Sequence, residues 1–132
     1  MKSKQLIRFY FSANCINRAL DNLILYSALK QTDYIRGGEY CAERVCEIIE
    51  DKSHLGNLWG YLDGVISSFT LRERTVLKFY AKLRVGLKRL PKQSAKEVKR
   101  VVVKFTRHAR SVYRYGEGLA RLSKYYCLMC AD

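Results

Sequence analysis

A chain of 132 residues has the length of one domain or of two tightly packed halves, and at 48% hydrophobic it can build a core without disulfide or metal staples. One Pro and eight Gly leave too little punctuation for a sandwich or barrel, so the predicted fold class is all-α. The formal charge of +13 is lopsided: residues 1–66 hold 8 basic and 8 acidic side chains, whereas residues 67–132 hold 17 basic and 4 acidic ones. That asymmetry points to a polyanionic partner, nucleic acid first and an anionic membrane surface second.

The N-terminal Leu6–Phe11 run is split by Arg8 and is too short for a signal-peptide core, and no stretch reaches the roughly 20 apolar residues of a membrane span. Five cysteines are an odd number and do not make a disulfide framework, so a reduced, cytoplasmic protein is expected. Cys127-Leu-Met-Cys130 has the gap of a zinc knuckle. Cys41 and Cys46, however, are separated by four residues on an expected helix and point about 140° apart, so buried free thiols are expected and no metal or cofactor.

Residues 1–69 read as a helical hairpin. Its first helix, about Ala13 to Tyr34, carries Ile16, Leu20, Leu23, Ile24, Tyr26, Ser27 and Lys30 on one side. After Gly37-Gly38, a second helix from about Tyr40 to Phe69 carries Val45, Ile48, Ile49, Leu55, Trp59, Leu62, Ile66 and Phe69. Gly56, Gly60 and Gly64 recur every fourth residue, a spacing that admits close approach of another helix; a break near Ser53 or Gly56 is the alternative. The apolar stripe covers the second half or a second copy of the chain, so a homodimer is a candidate.

Residues 70–132 read as three short helices, either a separate basic unit or part of one domain with the hairpin. Thr70-Leu-Arg-Glu73 has capping-box form, and Val76, Leu77, Phe79, Tyr80 and Leu83 continue an apolar face. After a break at Gly86 to Pro91, Ser94-Ala-Lys-Glu97 repeats the box ahead of Val98, Val101, Val102 and Phe105. Thr106 or Ser111 caps a third helix with Val112, Tyr115, Leu119 and Leu122. Two basic helices joined by a tight turn near Thr106 are what a helix-turn-helix DNA reader requires. In that arrangement Lys96, Lys99, Arg100, Lys104 and Arg121 neutralise phosphates, while Arg107, Arg110, Ser111 and Arg114, at the front of the third helix, reach base edges. The basic half offers four scattered carboxylates, and neither His54 nor His108 has a partner at ligand spacing, so no enzymatic activity is expected.

The segment Phe69-Thr-Leu-Arg-Glu-Arg-Thr-Val-Leu-Lys-Phe-Tyr80 resembles the opening helix of region 4 in sigma-70-type transcription factors. Arg110-Ser-Val-Tyr-Arg-Tyr115 with Leu119-Ala-Arg-Leu122 resembles the recognition helix of that region and of small sigma-like regulators of phages and mobile elements. Between these ends the middle helix lacks the family's "I-A-x-x-L-G-x-S", and the turn has no Gly. The resemblance implies a transcription regulator that binds promoter DNA, with RNA polymerase as a candidate partner. An RNA-binding or protein-adaptor module with a basic face is the alternative.

Overall fold

The computed structural model describes residues 3–33 and 38–129, without the side chains of 30–41 and 127–129. Five α-helices account for most of them: α1 (Ser3–Asp33), α2 (Gly38–Ser67), α3 (Leu71–Lys82), α4 (Lys92–His108) and α5 (Gly116–Met129). Short 3-10 segments, Leu87–Arg89 and Arg110–Tyr115, precede α4 and α5, and the described residues contain no strand. The chain is all-α, as its composition predicts.

Helix α1 begins ten residues earlier than the apolar stripe after Ala13 implies. Leu6, Phe9, Ala13, Ile16 and Leu20 recur at alternating spacings of three and four, and the four large members are buried. Arg8, within this run, is half-buried and donates from Nε to the Ala81 carbonyl at 2.9 Å and from Nη2 to that of Leu83 at 3.2 Å. It thus satisfies carbonyls freed at the C-terminal end of α3. The far end of the predicted stripe turns outward, with Leu23 and Tyr26 exposed.

Helix α2 runs unbroken through Ser53 and Gly56. Ile48, Leu55, Leu58, Leu62 and Ile66 face the core, while Ile49, expected on the same stripe, is 51% exposed. Gly56, Gly60 and Gly64 lie on the exposed side with nothing within 4 Å of a Cβ built on any of them, so among the described residues no helix approaches there. The close approach falls instead at Gly118, whose Cβ would stand 3.0 Å from the His54 carbonyl oxygen and 3.1 Å from Leu58 Cβ. This glycine lets α5 lie against α2.

The box at Thr70 forms in full: the Glu73 amide donates to Thr70 Oγ1 at 3.2 Å, and the Thr70 amide to Glu73 Oε1 at 3.0 Å. The box at Ser94 does not form. Helix α4 starts at Lys92 behind Pro91, and Ser94 lies within its first turn, while Glu97 pairs with Arg72 at 2.6 Å. Thr106 likewise caps nothing, because its hydroxyl donates to the Val102 carbonyl inside α4, which continues to His108. One core runs through both halves of the chain, joining Leu6 and Leu20 of α1, Leu62 of α2, Leu77 of α3, Val101 of α4 and Leu122 of α5.

Cys15 and Cys46 are exposed, contrary to the expectation of buried thiols. The side chains of Lys30, Cys41, Cys127 and Cys130, and the Gly37 break, lie outside the described residues.

Candidate nucleic-acid interface

Helix α4 is the most sharply divided element of the fold. At 100° per residue, Val98, Val101 and Phe105 point into the core, and each is buried. Lys92, Lys96, Lys99, Arg100 and Arg107 fall within a sector of roughly 100° on the opposite side, and all five are exposed. Val103 lies in the middle of that sector at 40% exposure. The two flanking polar residues turn toward α3: Glu97 to Arg72, and Lys104 to Glu73. A shallow, open concavity lined by Lys96, Lys99, Arg100, Val103, Arg107 and their neighbours runs along this face.

Helix α4 ends at the buried Ala109, and the chain re-enters helical geometry at Arg110. Val112 is buried, and the half-buried Tyr115 packs against Tyr61 with ring centroids 4.9 Å apart, which pins this 3-10 segment to α2. Arg110, Ser111, Tyr113 and Arg114 point away from that anchor and are exposed, Tyr113 at 73%. Arg110, Ser111 and Arg114 therefore stand together at the front of the last helical stretch. Arg107 sits two residues before Ala109, in the last turn of α4, and continues the row of cations on that helix.

Two of the residues expected at phosphates are held elsewhere. Lys104 Nζ lies 2.9 and 3.0 Å from the two carboxylate oxygens of Glu73 and 4.6 Å from the centre of the Phe69 ring. The Thr70 backbone amide, with the Lys104 ammonium, depresses the Glu73 carboxyl to a pKa of about 2. Arg100 Nη1 lies 3.7 Å from the same carboxylate but remains 63% exposed. Arg121, on α5, is bound into an acidic cluster on α2. Its Nε lies 2.9 Å from Asp51 Oδ1 at an angle that makes an ion pair rather than a hydrogen bond, and it also meets Glu50 and Glu117. Asp51 is fully buried, accepts the Tyr125 hydroxyl at 2.5 Å and pairs with Lys124. These contacts fasten α5 to α2, so the exposed cations of the last helical stretch that no described carboxylate holds stand at its front, not along its body.

Sequence reasoning missed Lys92, because a start at Ser94 leaves it in a loop; Pro91, which cannot donate and fixes the entry angle, was the signal for the earlier start. The described residues hold no group of three or more His, Cys, Asp or Glu side chains placed to bind a metal ion, and no described helix is long and apolar enough to cross a membrane. Comparisons with protein-family models, curated proteins and solved structures return no match for the chain.

Proposed function

We propose that this protein is a sequence-specific duplex-DNA-binding transcription regulator, with α4 and the helical stretch 110–129 acting as the helix-turn-helix pair. The observation that carries this reading is the division of α4: five exposed cations in one sector opposite the core, leading directly into Arg110, Ser111 and Arg114 on the next exposed helical start. Cations on the first helix neutralise phosphates, and a projecting helical front enters the major groove, where Arg bonds bidentately to guanine O6 and N7. B-form DNA suits such a front because its major groove is about 12 Å wide, whereas the A-form groove is too deep and narrow for side chains to read. Duplex RNA is therefore the alternative ligand, recognised by backbone alone.

RNA polymerase is proposed as a partner on the strength of the resemblance of residues 69–80 and 110–122 to sigma region 4. Pairing of two copies is proposed through the hairpin, where Leu25 and Ile49 are 59% and 51% exposed. Selection of bound sequences from a pool of random duplexes tests the central claim. Recovery of a motif supports it, with half-site spacing as a second readout, whereas retention of the pool without enrichment overturns sequence specificity.

A further inference from the structure

We infer that the connection between α3 and α4 carries a second phosphate-binding cluster, in which Lys88 and Arg89 join Lys92 at the start of α4 and extend the duplex contact beyond the helix-turn-helix pair. The inference rests on the DNA-binding reading above and adds a surface to it. Between Glu73 and Glu97 the sequence holds eight cations and no carboxylate. Lys88 and Arg89 occupy the 3-10 turn before α4, Lys92 opens the helix, and all three are exposed. The nearest acidic groups are already engaged: Glu97 by Arg72, and Glu73 by Lys104 and Arg100. Among the described residues no carboxylate pairs with Lys88, Arg89 or Lys92. A surface serving only solubility intersperses both signs, because like charges packed without counter-charges repel one another and oppose folding.

Length fixes the kind of partner. Lys92 to Arg107 spans fifteen residue steps of α4, about 22 Å at 1.5 Å each. That is nearly twice the width of the major groove, about 12 Å, so where α4 crosses the backbone, as the first helix of such a pair does, its two ends meet different phosphates. With Arg110 and Arg114 at the groove, the Lys88–Lys92 end reaches phosphates beyond its edge. The ligand must be an extended polyanion, and about 22 Å corresponds to roughly seven base pairs of duplex at 3.4 Å each. A mononucleotide or a single phosphate would leave most of the row unanswered.

The test compares full-length wild-type protein with the triple variant Lys88→Gln/Arg89→Gln/Lys92→Gln and the double variant Lys96→Gln/Lys99→Gln on one long duplex carrying the selected site, or mixed sequence. Affinity is measured between about 50 and 200 mM salt. The triple variant is expected to lower the steepness of the log–log salt dependence by roughly two to three and to bind on the order of a hundredfold more weakly near physiological salt, with base preference unchanged. The substituted side chains are exposed, and circular dichroism establishes that each variant is folded. A triple variant with the wild-type slope overturns the second cluster, and if the double variant has lost slope at the same time, the DNA-binding reading survives without it. A wild-type protein with no salt-dependent affinity for the duplex overturns both.

Discussion

Lys104 donates to both carboxylate oxygens of Glu73, a residue that already closes the cap of α3 through the Thr70 amide. One carboxylate thus joins the start of α3 to the C-terminal half of α4, and Lys104 becomes part of the joint between them. Lys104→Ala leaves Glu73, only 8% exposed, without its main cationic partner. The expected result is a fall in Tm on the order of several degrees, with little loss of duplex affinity. Lys99→Ala, on the outward sector, is expected to do the reverse: unchanged Tm and weaker binding to every duplex. Thermal melts and binding isotherms on the two variants separate these roles.

The same joint gives the fold an acid sensitivity of known sign. Glu73 titrates at about 2 in the folded chain against an ordinary value of 4.5, so the folded state favours its charged form. A depressed carboxyl contributes stability that is fully present above about pH 4.5 and is lost as pH falls toward about 2. The Arg72 hydrogen bond holds Glu97 below its ordinary value as well, and this adds loss in the acid range. Urea unfolding at a series of pH values is expected to show declining stability through that window, with a shallower decline in Glu73→Gln. Equal slopes in wild type and variant would remove Glu73 as the cause.

The elements legible in the sequence are those fixed by neighbours along the chain. The Thr70 box and the start of α3 depend on four consecutive residues, and both were readable. Ser94 has the same local pattern, yet Pro91 sets the entry to α4 one turn earlier and leaves the serine inside the helix. The early start of α1 was hidden because Arg8 interrupts its apolar run, and its role is visible only once the α3 carbonyls lie beside it. The candidate surface divides in the same way. The outward cations of α4 follow from helical periodicity, whereas the diversion of Lys104 to Glu73 and of Arg121 to Asp51 depends on tertiary partners that no spacing encodes.

Glycines on α2 and α5 are expected to respond in opposite directions. Gly118→Ala places a methyl group against the His54 carbonyl and Leu58, where backbone must shift, and loosens the α2–α5 contact. Gly60→Ala meets nothing within 4 Å on an exposed helix face and gains helix propensity, about 0.5–1 kcal/mol. Chemical denaturation is expected to give lower stability for the first and higher for the second. A stabilising Gly118→Ala would mean that α5 does not approach α2 so closely.

If two copies pair through the hairpin, the exposed apolar groups of α1 and α2 carry that contact. Leu25→Glu combined with Ile49→Glu is expected to convert a dimer to a monomer that keeps its fold, because neither side chain is in the core. Sedimentation velocity over a range of protein concentrations reads this directly. A wild-type chain that sediments as a monomer throughout removes the pairing.

The division of labour proposed across the turn at Ala109 yields the sharpest contrast. Arg110 and Arg114 project from a helical front anchored by Val112 and Tyr115, so their guanidinium groups are presented from a fixed base. Replacing either by Ala is expected to cost about 1–3 kcal/mol in discrimination at one base position while leaving binding to unrelated duplexes nearly intact. Lys96→Ala and Lys99→Ala, on α4 before the turn, are expected under the proposal to weaken all sequences alike, each lowering the salt slope by about one. The measurement is affinity for the selected site and for each single-base variant of it, at two salt concentrations. If the arginine and lysine variants shift both quantities in the same way, the last helix does not read the groove, and the cations on both sides of Ala109 form one undifferentiated phosphate-binding surface.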